Sequence, residues 1–175
     1  IHDTEEIVKL SKKIEMQITP PDENHISHII INGRDVTDRL RTKEVDLNVS
    51  TVAKNKAIRE LMTEMQRNIA SSGNIIMDGR DIGTRVLPDA DYKFFITASL
   101  EERARRRWKE LREKGLEVSL AEIEKEIAER DREDSTRELA PLVKAEDAIL
   151  IDTSNLSIQE VLDKLISYIK DEGNV

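Results

Sequence analysis

The chain of 175 residues has no cysteine, and aromatic side chains make up only 3% of it. Without cysteine it forms no disulfide bond and no thiolate metal site. A run of about 20 apolar residues, which a membrane-spanning helix needs, does not occur in the sequence. Charged residues interrupt positions 1–15 throughout, so no secretory signal is visible. We therefore expect a cytoplasmic protein that does not contact a membrane.

The chain also lacks an excess of basic residues, since its formal net charge is −8. A broad surface for nucleic acid requires such an excess, and we expect no nucleic-acid partner. A small anion can still bind, because a local group of arginines can reverse the field. The three histidines, His2, His25 and His28, do not have metal-ligand spacing, and we expect ordinary surface residues there.

The first part of the chain has the patterns of short helices around a small sheet. Residues 3–13 have helical periodicity, with Asp3 at the position of an N-cap. Strands are predicted at 14–19 and 26–32, followed by Asn32-Gly33, which is typical of a hairpin turn. Three further elements are predicted next: a short strand from Asp35 and helices at about 42–53 and 56–71. Such a small antiparallel sheet needs support from a larger body.

The remainder of the chain alternates between short apolar runs and charged helices. The apolar runs predict buried parallel strands at 74–78, 92–97 and 148–151. Three helices, each opened by an S-x-x-E capping box, are predicted at 99–114, at 119–132 and from Ser157 onward. This alternation is typical of an α/β fold with a parallel sheet. The predicted sheet is short by at least one strand for a well-packed core.

The first motif with chemical meaning is DGRD, Asp78 to Asp81, directly after a predicted strand. Ligands of open α/β sheets bind outside the carboxyl ends of the strands. An aspartate there commonly helps to organise Mg²⁺ on nucleotide phosphates, Gly79 would allow close backbone approach, and Arg80 could bind a phosphate. The alternative is a polar loop that closes a strand, with Asp78 capping the turn.

A second feature is the density of arginine in the two charged helices. A helical hairpin of this kind would suit a mobile lid over a polyphosphate, because phosphoryl transfer depends mainly on positioning and charge stabilisation. The alternative is a solvated hairpin with many ion pairs between neighbouring turns. Eight arginines lie in this stretch: Arg103, Arg105, Arg106, Arg107, Arg112, Arg130, Arg132 and Arg137.

The third feature is ERDREDSTR, residues 129–137. Arg130, Asp134 and Arg137 are spaced by four and three residues, so they can share one helix face. Two cations and a carboxylate suit a nucleoside monophosphate, in which arginines bind phosphate and the acid binds ribose hydroxyls. Ion pairing on a surface helix is the alternative.

Together these segments resemble the cytidylate kinases of bacterial type. The resemblance covers essentially all 175 residues, and DGRDIGT together with ERDREDSTR-x-x-APL is its most specific part. It implies transfer of a phosphoryl group from ATP, with Mg²⁺, to CMP or dCMP. The segments that carry it are INGRDVTDRLRTKEV (31–45), IIMDGRDIGTRVLPDAD (75–91), FFITASLEERARRRWKEL (94–111) and residues 126–161.

The resemblance also implies an architecture: a P-loop-kinase-like parallel sheet flanked by helices, with a small β insert that binds the monophosphate and a helical lid. On this basis we expect a monomer with three parts. They are an incomplete core (1–13, 70–100 and 133–175), the insert (14–69) and the lid (101–132).

Site residues follow from the resemblance position by position. Ser50, Arg59 and Asp81 are expected around the cytosine, and Asp134 at the ribose. The arginines expected to act on phosphates in catalysis are Arg80, Arg107, Arg130 and Arg137, of which Arg107, together with Arg103, would reach ATP. Asp78 is expected to act on Mg²⁺ indirectly.

The sequence departs from the family in one large respect, because no G-x-x-x-x-G-K-[ST] motif occurs in it. We expect that the first strand, the P-loop and the first helix of the family are missing, as the initial isoleucine also indicates, and that the chain alone is inactive. Two alternatives therefore stay open. One is a module that binds CMP without phosphoryl transfer, and the other is an interaction protein whose charged hairpin docks a partner.

Overall fold

The computed structural model describes residues 4–23 and 26–171, apart from a few side chains within helices. It divides the chain into two compact units, Ile1–Asn74 and Ile75–Val175, called here the first and the second unit. The division into core, insert and lid that the sequence predicts is a different one, and it stays a prediction.

The helices of the first unit agree with those predicted. They are α1 (Thr4–Ser11), α2 (Lys43–Ala53) and α3 (Lys56–Ala70), with a 3₁₀ turn at Thr37–Arg41. Asn55 caps α3, since its side-chain oxygen accepts hydrogen bonds from the amides of Ala57 (3.0 Å) and Ile58 (3.3 Å). Ile58 is buried in this unit. Asp3, the expected cap of α1, lies outside the described residues.

The sheet of the first unit consists of three short antiparallel strands, β1 (Met16–Ile18), β2 (Ile29–Ile31) and β3 (Arg34–Asp35), in that order. Met16 lies opposite Ile31, and Ile31 lies opposite Arg34. Asn32 and Gly33 both have positive φ, 49° and 75°, as a two-residue hairpin turn requires. The predicted turn is therefore confirmed, and the strands are shorter than their sequence patterns.

The second unit contains the parallel sheet. Strand β4 (Phe94–Thr97) pairs in parallel with β5 (Ile149–Asp152), so that Phe94 lies opposite Ile149. The helices are α4 (Leu100–Glu113), α5 (Leu120–Thr136) and α6 (Ile158–Asp171). A mixed α/β fold with a parallel sheet is thus confirmed. The buried side chains of this unit are Val86, Ala98, Ala104, Ile123, Ile151 and Thr153.

The strand predicted at 74–78 is wrong. This stretch has no strand partner in the described part of the chain, and Ile76 is fully exposed. An apolar run becomes a strand only when a neighbouring strand takes up its backbone hydrogen bonds. Here β4 pairs only with β5 among the described residues, and 53% of Ile96 and 57% of Leu150 stay exposed on these strands.

The helix starts differ from one another in how fully the capping box forms. Ser119 and Glu122 exchange both hydrogen bonds at the start of α5. At α4 only one half forms, because the Glu102 carboxylate pairs with Arg105 and Arg106. At its other end α5 continues four residues past its predicted end at 132, so that most of ERDREDSTR lies on its last turns.

Candidate functional site

Two arginines from distant parts of the second unit meet at one carboxylate. Arg80 Nε donates to Asp134 Oδ2 at 2.9 Å, and Arg137 Nη1 donates to Asp134 Oδ1 at 3.2 Å. Only 15% of the Asp134 side chain and 19% of the Arg137 side chain are exposed, against 47% for Arg80. We call Arg80, Asp134 and Arg137 the Arg–Asp cluster. With two cations on one carboxylate, it carries one excess positive charge.

Arg137 is held at the C-terminal end of α5 by its surroundings. The helix ends at Thr136, Arg137 is extended, and its Nε donates to the carbonyl of Ala140 at 2.5 Å. Ala140 has a positive φ of 52°, uncommon for a residue with a side chain. Within the described residues Arg137 Nη2 is buried without a hydrogen-bond partner. A buried donor of this kind is costly to leave unpaired, so the cluster favours an additional acceptor.

The loop that carries Arg80 continues into a π-helical turn at Ile82–Val86. The Asp81 carbonyl accepts from the amides of Arg85 (2.9 Å) and Val86 (3.2 Å). A Cβ on Gly79 would lie 2.8 Å from Ile82 Cγ1, so this tight loop needs glycine there. Single π-helical turns are frequent at functional sites. In the sequence this stretch is recognisable only as a polar loop with glycine, since no residue pattern identifies a π turn.

The two lid arginines expected to reach ATP, Arg103 and Arg107, have protein partners. Arg103 donates from Nε to the Ala98 carbonyl at 3.0 Å and pairs through Nη1 with Asp131 on α5 at 2.7 Å. Arg107 pairs with Glu110 on its own helix at 2.9 Å. Hydrogen bonds from Lys114, in first place, and from Arg107 lower the pKa of Glu110 to about 2.

Sequence reasoning gave no role to Arg106, which the structure ties to the sheet. Its Nη2 donates to the Thr153 carbonyl at 2.6 Å, and its Nη1 lies 3.2 Å from Thr153 Oγ1. Thr153 is 4% exposed, and its hydroxyl donates to the carbonyl of Thr97, the last residue of β4, at 3.0 Å. Arg106 thus joins α4 to the ends of both strands. Spacing alone could not distinguish it from its neighbouring arginines.

The sequence was compared with models of known protein families. The sequence model of one family, Cytidylate kinase, matches residues 1–171. The chain belongs to the cytidylate kinase family.

Individual relatives agree with this assignment. A cytidylate kinase of Carboxydothermus hydrogenoformans is 47% identical over 175 residues, which are 100% of this chain and 78% of that protein. A cytidylate kinase of Clostridium botulinum strain Hall is 52% identical over 146 residues, or 83% of this chain and 67% of that protein. One of Shouchella clausii is 46% identical over 173 residues, or 99% of this chain and 76% of that protein.

The roles expected for Arg130, Asp81 and Asp78 in the second unit stay predictions. Arg130 lies one turn before Asp134 on α5 and is exposed, with no ion pair among the described residues. Asp81 is half-buried, and Asp78 is exposed. The described part of the chain has no group of three or more potential metal ligands. Because Mg²⁺ in nucleotide sites commonly takes only one or two carboxylates besides phosphate oxygens and water, the exposed Asp78 fits such an ion.

Two of the three residues expected around the cytosine, Ser50 and Arg59, belong to the first unit. Ser50 lies on α2, and its side chain is outside the described part of the structure. Arg59 lies on α3, where its Nε donates to the Ala53 carbonyl at 2.9 Å. Their grouping with the Arg–Asp cluster stays a prediction. Separately, none of the described helices is both long and apolar enough to cross a membrane.

Proposed function

We propose that this protein transfers the γ-phosphoryl group of ATP to CMP or dCMP and releases CDP or dCDP together with ADP. The Arg–Asp cluster is the observation that carries the proposal. Asp134 holds two guanidinium groups beside each other, 2.9 Å and 3.2 Å from its oxygens. Paired guanidinium groups bind phosphate through charge-assisted hydrogen bonds.

The monophosphate end of CMP would bind at this cluster. Arg80 uses only its Nε on Asp134, and Arg137 Nη2 has no partner within the described residues. Each arginine would therefore contribute further N–H donors to the phosphate. Arg130, one turn earlier on the helix, would add a third cation, and Asp134 would accept from ribose hydroxyls. Binding energy at these groups fixes the phosphate oxygen for attack, which is most of what phosphoryl transfer requires.

In the reaction, an oxygen of the CMP phosphate attacks the γ-phosphorus of ATP while the bond to the leaving ADP oxygen breaks. No covalent intermediate with the protein is needed. Arg103 would leave its ion pair with Asp131, and Arg107 its ion pair with Glu110, to bind ATP phosphates. There they would stabilise charge in the transition state. Mg²⁺, when bound with ATP and assisted by Asp78, would supply further charge neutralisation.

Selection of the base is assigned to Asp81, with Ser50 and Arg59. Cytosine has an exocyclic amino group, and a carboxylate acceptor suits this donor. Uracil lacks it, and an acceptor left unpaired in a closed site costs about 1–3 kcal/mol. UMP is therefore expected to be a poor substrate.

Calorimetric titration with CMP tests the cluster directly. Replacing Arg137 by Met is expected to weaken CMP binding at least about tenfold, because a charge-assisted bond to phosphate is lost. Arg132→Met is the matched control, since Arg132 is an exposed arginine of the same helix. Equal effects of the two substitutions, or no CMP binding by the unmodified chain, would contradict the proposal.

A second candidate is a protein that binds CMP but transfers nothing. It is favoured by the absence of G-x-x-x-x-G-K-[ST] from the 175 residues, because the backbone amides and the lysine of that loop hold the β- and γ-phosphates of ATP. A coupled assay with ATP and CMP, dCMP, UMP or AMP separates the candidates. CDP formation supports the kinase, whereas CMP binding without any ADP release supports the binding protein. A preference for AMP or UMP would exclude both readings of the site.

A further inference from the structure

Lys93 is a nearly buried cation directly before β4. Only 10% of its side chain is exposed, and its ammonium group pairs with the carboxylate of Asp147. The same group donates to the carbonyl of Pro88 at 2.5 Å. Lysine is seldom buried unless it is paired, because a charge taken from water loses much solvation energy. This position is therefore built to hold a lysine, although neither the sequence patterns nor the family resemblance assigned it a role.

The aliphatic part of Lys93 packs against the π-helical turn. A Cβ on Gly83 would lie 3.2 Å from Lys93 Cδ and 3.4 Å from Lys93 Cγ, so the lysine stem occupies the space beside that glycine. Lys93 thus contacts the π turn through its stem and the end of the same loop, Pro88, through its ammonium group. Asp147 adds the turn that precedes β5.

The segment that Lys93 supports is the one that carries Arg80. The π turn begins at the carbonyl of Asp81, the residue after Arg80, which accepts the amides of Arg85 and Val86. Arg80 itself is half-exposed and reaches Asp134 through a single Nε contact. A group held so lightly depends on its backbone for its position, and displacements of about 1 Å are enough to weaken a catalytic contact severely.

We propose that Lys93 is a positioning residue, which holds the loop 79–88 so that Arg80 meets Asp134 and, with it, the phosphate of the nucleoside monophosphate. The lysine does not touch the phosphate in this scheme. The part of the inference that concerns Arg80 and Asp134 stands on the geometry alone. The part that concerns the nucleotide rests on the proposed function.

The first test needs no ligand. In a ¹H–¹⁵N NMR spectrum, the Nε–Hε signal of Arg80, assigned with Arg80→Lys, reports its hydrogen bond to Asp134. We expect Lys93→Met to move this signal to the position of a free arginine, and Lys93→Arg to restore most of it. Lys164→Met, which removes an exposed lysine of α6, is the charge-matched control and is expected to leave the signal in place. An unchanged Arg80 signal in a folded Lys93→Met protein would overturn the inference.

The second test separates phosphate from nucleoside. The ratio of the dissociation constants of cytidine and CMP measures what the phosphate contributes. In Lys93→Met this ratio is expected to fall about tenfold, with the constant for cytidine changed less than about twofold. General loss of structure would weaken both ligands equally and leave the ratio unchanged, which would contradict positioning. If Lys93→Met does not fold, Asp147→Asn serves instead, because it removes only the partner whose side chain is 63% exposed, and a smaller fall of the ratio is expected.

The two tests distinguish a failure of the proposed function from a failure of the positioning role. If the Arg80 signal moves in Lys93→Met but the unmodified protein binds no CMP, the proposed function is wrong and the positioning of Arg80 stands. If the unmodified protein binds CMP and the cytidine-to-CMP ratio is the same in Lys93→Met, the proposed function stands and the positioning role is wrong.

Discussion

The first unit contains all three histidines of the chain, whereas the second unit contains all five aromatic residues. Buried apolar side chains are also more numerous in the second unit. Among the described residues, Ile58 is the one buried apolar side chain of the first unit, against five in the second. The aromatic residues are Tyr92, Phe94, Phe95, Trp108 and Tyr168.

The sheet of the first unit, whose strands pair through their backbones, carries polar side-chain contacts at its surface. His28 Nδ1 lies 2.8 Å from Asp35 Oδ2, and His28 Nε2 lies 3.6 Å from Asp22 Oδ2. Thr37 donates to Asp35 Oδ1 from both its amide (2.9 Å) and its hydroxyl (2.6 Å). The side chains of His28, Asp22 and Asp35 are 38%, 33% and 49% exposed.

The second unit instead has apolar and aromatic contacts on its sheet, where Ile151 of β5 is fully buried. Phe94 stacks on Tyr92 with ring centroids 6.5 Å apart and meets Tyr168 of α6 at 6.1 Å. Apolar burial stabilises a fold in proportion to area, whereas a net hydrogen bond contributes about 0.5–1.5 kcal/mol. The two units should therefore respond to different perturbations. Fluorescence of Trp108 reports on the second unit, and histidine NMR signals report on the first.

The largest expected effect comes from the core of the second unit. Ile151 of β5 is 0% exposed, so Ile151→Ala leaves a cavity and should lower the free energy of unfolding by about 2–5 kcal/mol. Urea denaturation followed by Trp108 fluorescence measures it. The matched control is Leu150→Ala, because 57% of this neighbouring side chain is already exposed and the loss should be much smaller. Equal losses at the two positions would mean that the core is not where the structure places it.

Glycines with positive φ allow the same change in each unit. Gly33 has φ 75° and Gly115 has φ 77°, and nothing lies within 4 Å of a Cβ built on either, so alanine brings backbone strain without a clash. Each substitution should cost about 1–2 kcal/mol. Gly33→Ala should shift the histidine signals while leaving the Trp108 unfolding curve unchanged, and Gly115→Ala should do the opposite. Identical responses of the two probes would show that the units unfold as one.

Helix caps should give somewhat smaller losses, again separated by unit. Asn55→Ala removes the cap of α3 in the first unit, and Ser119→Ala removes that of α5 in the second. Loss of such a cap typically costs about 1 kcal/mol. Far-ultraviolet circular dichroism during urea denaturation measures both losses. Asn55→Asp, which keeps a capping oxygen, is the control expected to retain most of the stability.

The smallest effect is a pH dependence confined to the first unit. The hydrogen bond to Asp35, followed by that to Asp22, raises the pKa of His28 above its ordinary value of 6.5. The stabilisation is therefore complete below that value and is lost as the pH rises through the raised pKa. Histidine NMR signals should show the sheet loosening over this range, and His28→Gln should remove the dependence. A Trp108 unfolding curve that follows the same titration would contradict the confinement.

On the acid side the sign is reversed. Hydrogen bonds from Thr37, in first place, and from His28 lower the pKa of Asp35 from 3.8 to about 2. Its contribution is present above the ordinary value and is lost as the pH falls from about 4 to about 2. Thr37→Val should move this loss to higher pH, which a titration followed by histidine NMR signals would show.

Much of the local structure could be predicted because its causes are local. The capping boxes at Ser119 and Ser157 and the turn at Asn32-Gly33 depend on residues within a few positions of one another, and all three form. The residues of the candidate site were named from motifs, and their roles stay a prediction. The contact between Asp134 and Arg137 follows from their spacing along the chain. The strand at 74–78 was mispredicted, because an apolar run says nothing about whether a partner strand lies beside it.

Sequence alone determined the charge and apolar periodicity of the helices, their caps, the hairpin turn and the family of the chain. Tertiary structure decided which arginine meets which partner. Arg80 reaches an aspartate 54 positions away, and Arg106 reaches a threonine 47 positions away, while Arg107 beside it pairs within its own helix. The physical reason is that a charged side chain pairs with whatever group the fold brings within about 3 Å, and that distance is set by packing rather than by spacing in the sequence.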